Sequence, residues 1–318
     1  MRSYSIVRDA KKKVEKTKRL KSKKALRLSL LLFNLFCSLP FWAADSITVS
    51  LTGDIMLDRG VRKRIELNGI DRLFPPAIDS IFRSSDYVIG NLECPATQVK
   101  TPAYKKFVFR AEPEWLTSLR KHGFTHLNLA NNHSIDQGRR GLQDTYDNIL
   151  QAGMTPIGAG RDMLEAARPV LIDDSVRPVY ILASNRLIPE NFAYLPNEFS
   201  ISQEPFDSLL VRVARLRASE PAAVIIVCMH WGWEHQLHPC LMQQIQARQL
   251  VDAGANALVC HHTHTFQTVE QYRGCHIFYS IGNFIFDQYK PLNAKAAVVQ
   301  LTITNDDIHV KTIPFTIH

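Results

Sequence analysis

Five apolar, β-rich runs dominate this sequence, and each of them ends in polar side chains that can bind metal ions. The first run, ITVSLTGD, ends at Asp54, and the fifth, ANALVCHHTH, ends at His264. Parallel strands place their carboxyl ends at one edge of a sheet, where binding sites form. We therefore predict that the polar residues at the ends of the runs meet at that edge. They are Asp54, Asn91, Glu93, Asn132, His133, His230, His262 and His264.

Helix-like stretches separate these runs, and a strand-rich segment follows the last of them. Elements that alternate in this way are typical of layered α/β proteins with a mixed sheet. The last predicted helix begins at Pro239 and ends before Gly254, as helices tend to. The predicted helices span residues 71–83, 114–122, 139–152, 206–218 and 239–253.

The formal net charge of +8 is concentrated at the amino terminus. Residues 1–27 contain 12 of the 38 Lys and Arg residues, with only Asp9 and Glu15 as acids, a net charge of +10. The remaining 291 residues carry 26 basic and 28 acidic side chains, a net charge of −2. A nucleic-acid-binding surface needs its basic residues in the folded part of the protein, so we expect no nucleic-acid partner.

An apolar run, LSLLLFNLFCSLPFWAA, follows the basic segment at residues 28–44. A positive segment, an apolar run and small residues follow one another in secretory signals. Two interpretations stay open: cleavage near Ala43 or Ala44, or an uncleaved anchor with its basic end inside. We predict a leader at residues 1–44 and a folded domain at residues 45–318. Either way the domain is exported across the inner membrane, as a secreted, periplasmic or membrane-anchored protein.

The cysteines bear on this prediction, because an exported chain can form disulfides. One of the six, Cys37, lies in the leader, which leaves five in the domain. Cys240 and Cys275 are the least constrained candidates for a pair, although pairing does not follow from sequence. Cys228 lies inside an apolar run and is predicted to be a buried thiol.

The segment VCHHTHTFQ carries His262 and His264, one residue apart. Alternate residues of an extended segment point the same way, so the pair is expected to bind one metal site from one side. Carboxylate and imidazole groups together suit Zn, Mn, Fe or Ni. Two such ions about 3.5–4 Å apart form a hydrolytic centre that activates water and stabilises the attacking and leaving oxygens. A carboxylate has to bridge the two ions, and Glu93 is the candidate.

The chain resembles the CapA family, which is linked to capsule and poly-γ-glutamate synthesis, over approximately residues 48–288. The resemblance implies a metallophosphatase-like fold, a four-layer αββα sandwich with mixed sheets. It rests on seven short motifs in the same order: LTGDIML, GNLECP, LANNHSIDQGRRGLQDT, PIGAGRD, MHWGWEH, DAGANALVCHHTHTFQTVEQYRG and YSIGNFIFDQ.

The resemblance also implies a role for each matching residue. Asp54 would bind the first of two divalent ions (Mn, Zn or Fe), and His264 would complete that site. Glu93 would bridge the two ions. The ligands of the second ion would be Asn132, His230 and His262.

His133 would lie beside the substrate and donate a hydrogen bond or a proton to it, again as the resemblance implies. Asp136 follows three residues later, so in a helical turn its carboxylate would reach the ring and orient it. We therefore predict His133 and Asp136 as the catalytic pair.

Two departures from related patterns concern the metal ligands. General metallophosphatases have Asp-x-His at the first motif, whereas this chain has Met56 in place of the histidine. CapA-like proteins generally lack that histidine too. Asp58 is a candidate substitute if the chain turns back. Cys260 replaces the glycine that usually opens the last motif, and it is either a thiolate ligand or a small apolar residue of the core.

The substrate-binding residues are predicted to be Asn91, Trp231, Glu234 and Asn283. Trp231, with Trp233, would form a wall of the cleft, and Glu234 would support it. Asn283 would contact the substrate or orient a ligand.

Together these features predict a metal-dependent hydrolase of phosphoester or γ-glutamyl amide bonds. Its substrate would be an anionic cell-envelope polymer or its phosphorylated precursor. The alternative is a non-catalytic accessory or scaffold subunit of a membrane complex for polymer synthesis and export, with membrane polymer-synthase subunits as partners.

Overall fold

Two mixed β-sheets form the centre of the protein in a computed structural model that describes residues 46–187, 197–288 and 290–317. The predicted leader at residues 1–44 lies outside the described residues. The strands are β1 (Ser46–Ile55), β2 (Tyr87–Leu92), β3 (His126–Asn128), β4 (Thr155–Ile157), β5 (Ala159–Gly160), β6 (Val170–Asp173), β7 (Val179–Asn185), β8 (Ser200–Ile201), β9 (Val224–His230), β10 (Ala257–Val259), β11 (Val269–Tyr272), β12 (Cys275–Phe278), β13 (Asn283–Ile285), β14 (Lys295–Thr304) and β15 (Ile308–Thr316).

Eight described α-helices accompany these strands. They are α1 (Arg59–Asn68), α2 (Pro76–Arg83), α3 (Trp115–Lys121), α4 (Gly138–Gln151), α5 (Met163–Ala166), α6 (Phe206–Ser219), α7 (Leu241–Asp252) and α8 (Pro291–Ala294). None of these helices is long and apolar enough to cross a lipid bilayer.

The first sheet has the strand order β15-β14-β1-β2-β3-β4, and β13 pairs with the end of β1. The pairs β1–β2, β2–β3, β3–β4 and β1–β13 are parallel, whereas β14 is antiparallel to both of its neighbours. Asp54 on β1 is in register with Asn91 on β2 and with Asn283 on β13. Three polar side chains therefore stand side by side at one edge of the sheet.

The second sheet has the order β11-β12-β10-β9-β7-β6. Its four central strands, β12, β10, β9 and β7, are parallel, and its two edge strands are antiparallel. His230 is the last residue of β9, and the VCHHTHTFQ segment begins at the end of β10. The second sheet thus delivers its histidines at the carboxyl ends of its parallel strands, as expected.

Helices cover the outer face of each sheet, and an apolar core lies between the sheets. Val49 and Leu51 from the first sheet pack with Ile226 and Val259 from the second. Helices α1 to α4 pack on the outer face of the first sheet, and α6 and α7 pack on that of the second. The layers run helix, sheet, sheet, helix, which confirms the predicted four-layer α/β architecture.

Local sequence explains the main differences from the predicted elements. The helix predicted at residues 71–83 is divided into a 3₁₀ turn at Ile70–Leu73 and helix α2. Pro75 and Pro76 separate the two, because a residue before proline avoids helical backbone while proline itself suits the first helical position. Helix α1 was not predicted; Asp58 caps it by accepting a hydrogen bond from the Arg59 amide.

The five cysteines of the described residues are all free thiols. The candidate pair Cys240 and Cys275 is therefore not bonded in this structure, and Cys228 is buried as expected.

Candidate metal centre

Side chains from both sheets form two groups of metal-binding type where the parallel strands end. The first group is Asp54, Glu93 and His264, and the second is Glu93, His230 and His262. Within each group the ligand atoms all lie within 4.8 Å of one another, and every member is buried. The two groups thus contain five of the six predicted ligands, all but Asn132, and Glu93 belongs to both.

Glu93 gives the strongest indication that a cation belongs here. Its side chain is fully buried, yet neither carboxylate oxygen has a hydrogen-bond partner. A buried carboxylate without a partner costs several kcal/mol. Burial, together with the neighbouring Asp54 carboxylate, raises the pKa of Glu93 well above its usual range. A divalent cation between the two groups would remove this cost, so the residues present fit a metal centre.

His262 and His264 reach the two groups through unusual backbone conformations. Their φ angles are 94° and 55°, in the left-handed region that residues with a side chain seldom adopt. The segment is therefore not extended, and the expectation that both histidines bind one site from one side is wrong. Instead His262 belongs to the second group and His264 to the first. Strained backbone of this kind is common at functional sites.

Two buried asparagines orient the first group. Asn91 donates from Nδ2 to Asp54 Oδ1 at 2.8 Å, and His264 Nδ1 is 2.8 Å from Asn283 Oδ1. With Nδ1 bound to the amide oxygen, Nε2 of His264 is left for an ion, 3.9 Å from Glu93 Oε1. Residues that hold metal ligands in this way set the orientation and tautomer of the ring.

Asn132 reaches the second group, where it was predicted. Its Oδ1 lies 2.9 Å from Nε2 of His230, the same nitrogen that is 3.5 Å from Glu93 Oε1. Burial, followed by the charge of His262, lowers the pKa of His230 well below its usual range. The ring is therefore neutral at physiological pH, which is the form that binds metal ions.

Protonation separates the two histidines of the VCHHTHTFQ segment. Burial opposes a charge on His264, but the carboxylates of Glu93 and Asp54 outweigh it and raise its pKa to about 9. Burial, together with the charge of His264, lowers the pKa of His262 to about 3. An ion at the first group therefore has to displace a proton from its histidine, whereas both histidines of the second group are already neutral.

His133 lies beside the ligands in the turn that follows β3. Its Nδ1 is 2.8 Å from Asp136 Oδ2, and the Phe109 ring stacks on it with centroids 4.3 Å apart. Asp136 also forms an ion pair with Lys105, whose Nζ is 2.6 Å from Oδ1. Lys105 Nζ further donates to the backbone oxygen of Asn132 at 2.9 Å.

Lys105 is a site residue that the sequence did not reveal. Its side chain is only 6% exposed, and it pairs with an aspartate 31 positions away in the chain. The sequence around Lys105 is polar, as it is around an exposed surface lysine, so it does not indicate that this side chain is buried.

Residues 48–288 match the sequence profile of the family described as "Bacterial capsule synthesis protein PGA_cap". The chain belongs to this family. The resemblance to CapA proteins is thereby confirmed, and the match spans every ligand of the two groups.

Two curated relatives of this PGA_cap chain carry the CapA name. It is 34% identical to the "PGA biosynthesis protein CapA" of Bacillus subtilis over 87% of this chain and 73% of that protein. It is 32% identical to the "Capsule biosynthesis protein CapA" of Bacillus anthracis over 80% of this chain and 64% of that protein. This chain therefore spans about two thirds to three quarters of the length of these relatives.

Among solved structures, one match is the sulfate thiohydrolase SoxB of Thermus thermophilus in complex with glycerol. The TM-score is 0.45 and the sequence identity is 12%. The match covers 84% of this PGA_cap chain and 56% of the SoxB chain.

Two residues predicted to bind substrate, Trp231 and Asn91, are buried in this PGA_cap chain and do not line a cleft. Trp231 is 2% exposed, and its Nε1 donates to the backbone oxygen of Tyr279 at 3.0 Å, so it belongs to the core. Asn91 is fully buried against Asp54 and orients a ligand. The exposed tryptophan of the motif is Trp233, at 71%. Glu234 is exposed, with Oε2 3.7 Å from Nε2 of His235.

Asp58 and Cys260, the two candidates for additional metal ligands, have structural roles instead. Met56 is fully buried in the core, and Asp58 caps α1 and pairs with Arg62, so Asp58 does not replace the missing histidine. Cys260 is buried and belongs to neither group of the described residues, and burial raises the pKa of its thiol well above the usual range. It is a small core residue.

Proposed function

We propose that this protein is a dinuclear metal-dependent hydrolase that acts in the synthesis of a capsule, of poly-γ-glutamate or of a related cell-envelope polymer. The observation that carries the proposal is Glu93, a fully buried carboxylate without hydrogen-bond partners that two histidine-containing groups share. A shared carboxylate is what holds two divalent ions close together. The names of the CapA relatives, which refer to PGA and capsule biosynthesis, support a role in polymer synthesis.

Two divalent ions held by these residues would supply a nucleophile at neutral pH and stabilise the attacking and leaving oxygens. Asp54, Glu93 and His264 would hold the first ion, and Asn132, Glu93, His230 and His262 the second. The ligand set of carboxylate, imidazole and amide suits Mn, Zn or Fe.

His133 would exchange a proton with the substrate. Its Nδ1 donates to Asp136, because an ionised carboxylate can only accept, and this leaves Nε2 for the substrate. Burial lowers the pKa of His133, and the opposing effect of Asp136, which raises it, is smaller. The neutral ring is therefore favoured. In that form Nε2 accepts a proton, which it can then return to the leaving group.

The substrate would be an anionic polymer or its phosphorylated precursor, cleaved at a phosphoester or a γ-glutamyl amide bond. The basic and apolar leader supports an exported domain, and membrane polymer-synthase subunits would then be its partners.

The test begins with the metal content of the purified full-length chain, measured by plasma mass spectrometry after reconstitution with Mn or Zn. We expect about two ions per chain. Hydrolysis of bis-p-nitrophenyl phosphate and of poly-γ-glutamate is then assayed for the wild type and for His133→Ala. The variant should retain metal and lose turnover.

Two results would contradict the proposal. A chain that binds no metal under these conditions lacks the centre altogether. A chain that binds metal but hydrolyses neither phosphoester nor γ-glutamyl bonds would favour the accessory or scaffold role in polymer synthesis.

A further inference from the structure

A loop of residues 98–110 borders the metal centre, and we name it the basic loop. Its sequence, QVKTPAYKKFVFR, contains Lys100, Lys105, Lys106 and Arg110 and no acidic residue. The folded part of the chain has a net charge of −2, so an uninterrupted basic segment stands out against it. Lys105 and Arg110 are partnered by Asp136 and Glu112.

Contacts with the His133 turn hold the basic loop in place. The Ala103 amide donates to the backbone oxygen of Asp136 at 2.8 Å, and the Phe109 amide donates to its Oδ2 at 2.7 Å. Thr101 Oγ1 donates to the backbone oxygen of Gln137 at 2.7 Å. Together with the stacking of Phe109 on His133, these bonds place the loop directly beside the centre.

The outer side of the loop presents cations around an aromatic ring. Phe107 is 48% exposed, with the Arg59 guanidinium 5.8 Å and the Lys106 ammonium 5.1 Å from its ring centroid. Arg59 itself has a φ of 52°, the left-handed region, so its position is imposed by the surrounding structure. It also stands 5.6 Å from the Phe109 ring that stacks on His133, which links this cluster to the centre.

Two of these cations are available to a ligand. Lys100 and Lys106 are exposed, and neither has an acidic group within 4.0 Å among the residues that the structure describes. Arg59 is partly neutralised by Asp287, 3.1 Å away. Tyr104, 93% exposed, lies between the two lysines in the chain. Exposed charged and aromatic side chains therefore occur at several positions along the loop, from Lys100 to Phe107.

We infer that the basic loop binds the polyanionic chain of the substrate outside the metal centre. Repeated carboxylates or phosphates would pair with Lys100 and Lys106, and the apolar spacers between them would lie on Phe107. A spread of separate charges selects an extended polyanion over a small anion, which a single convergent site would bind. This inference rests on the proposed function and names the part of the protein that recognises its substrate.

The test is equilibrium binding of fluorescein-labelled poly-γ-glutamate and of long-chain inorganic polyphosphate, measured by anisotropy with the full-length chain. The variant Lys100→Gln/Lys106→Gln is compared with Lys63→Gln/Lys311→Gln, which removes the same charge from exposed positions elsewhere. We expect about tenfold weaker binding for the loop variant and less than a twofold change for the control, since exposed charge pairs each contribute a modest amount. The polymer that binds more tightly identifies the anion.

Binding is measured without turnover, so this inference and the proposed function can fail separately. Equal losses in the two variants, or no binding of either polymer by the wild type, would overturn the role of the loop. A hydrolase that fails this test keeps its proposed chemistry. A selective loss in the loop variant supports the loop even if the chain hydrolyses nothing.

Discussion

The two ligand groups share Glu93 but differ in charge and in what supports them. The first group adds the carboxylate of Asp54 and the imidazole of His264, whereas the second adds the imidazoles of His230 and His262. Carboxylate-rich sites attract harder ions, and imidazole-rich sites suit Zn and its neighbours. One shared residue therefore joins two sites that are expected to differ in affinity and in their dependence on pH.

The supporting residues of the two groups also differ. Neutral amides, Asn91 and Asn283, hold the residues of the first group, and Asn91 Nδ2 is in addition 3.4 Å from Nδ1 of His230 in the second. Beside the second group, Asn132 is held by the charged side chain of Lys105, which also pairs with Asp136. A weakened support should therefore affect each site differently, by loss of orientation at the first and by loss of charge balance at the second.

The largest effect is expected for Glu93→Gln, which removes the carboxylate common to both groups. Metal content should fall from about two ions per chain to nearly none, as measured by plasma mass spectrometry. The metal-free variant should also unfold at a higher denaturant concentration than the metal-free wild type, because burying a neutral amide costs less than burying an unpaired carboxylate. Glu66→Gln, at a side chain that is 59% exposed, is the control. Two ions retained by Glu93→Gln would show that the groups do not share a ligand.

Single histidine variants separate the two groups. His264→Ala should lose the first ion and His262→Ala the second, so each variant keeps about one ion per chain. His309→Ala, at a side chain that is 69% exposed, should keep both. If His264→Ala or His262→Ala loses both ions, the two groups form one cooperative cluster and do not bind their ions separately.

Lys105→Met should destabilise the protein by about 3 kcal/mol, because it leaves the buried Asp136 carboxylate without its cation. The measurement is the free energy of unfolding by urea. The double variant Lys105→Met/Asp136→Asn removes both charges and should recover much of the loss. An equal loss in the single and double variants would mean that the ion pair contributes packing alone.

Metal affinity at the first group should rise with pH. The pKa of His264 is raised from 6.5 to about 9, so in the metal-free protein its proton competes with the ion below about pH 9. Affinity should therefore increase by up to tenfold per pH unit, about 100-fold from pH 6.5 to 8.5. The pKa of His262 is about 3, so its proton does not compete in that range. Titrations of His262→Ala and His264→Ala, each with one site left, measure the two slopes. Equal slopes would contradict the assignment.

Asn283→Ala should weaken the first site by about tenfold, because it removes the hydrogen bond that orients His264. Competition with a fluorescent chelator measures this affinity. Asn305→Ala, an exposed asparagine after β14, should leave it unchanged. A loss confined to the second site would reverse the role assigned to Asn283.

The sequence predicted which polar residues stand together where the strands end, because each follows an apolar strand and this position is a local property. Asp54 and His230 are visible in this way without any knowledge of the fold. Trp231 was predicted to line the substrate cleft but lies in the core, and the alternation of apolar residues already indicates this. Val227, Met229 and Trp231 alternate along one face of β9 and its extension, and all three pack in the core beneath α6 and α7.

Other parts of the site could not be read from local pattern. The ion pair of Lys105 with Asp136 joins two loops, and only folding brings them together. The left-handed backbone of His262 and His264 contradicts the extended segment that their alternation indicates. The surrounding packing maintains such strained backbone, and the residues of a short motif do not show which segments will pack around it.

The sequence by itself determined which side chains stand at the ends of the strands, because hydrophobic periodicity and chain order set where each strand stops. It also determined the layered α/β class. Only the tertiary structure decided that two sheets meet so that Glu93 serves both ligand groups, and that Asn91 faces Asp54 rather than a substrate. The physical reason is that shared burial and mutual orientation depend on contacts between distant segments, which form only when the two sheets pack against each other.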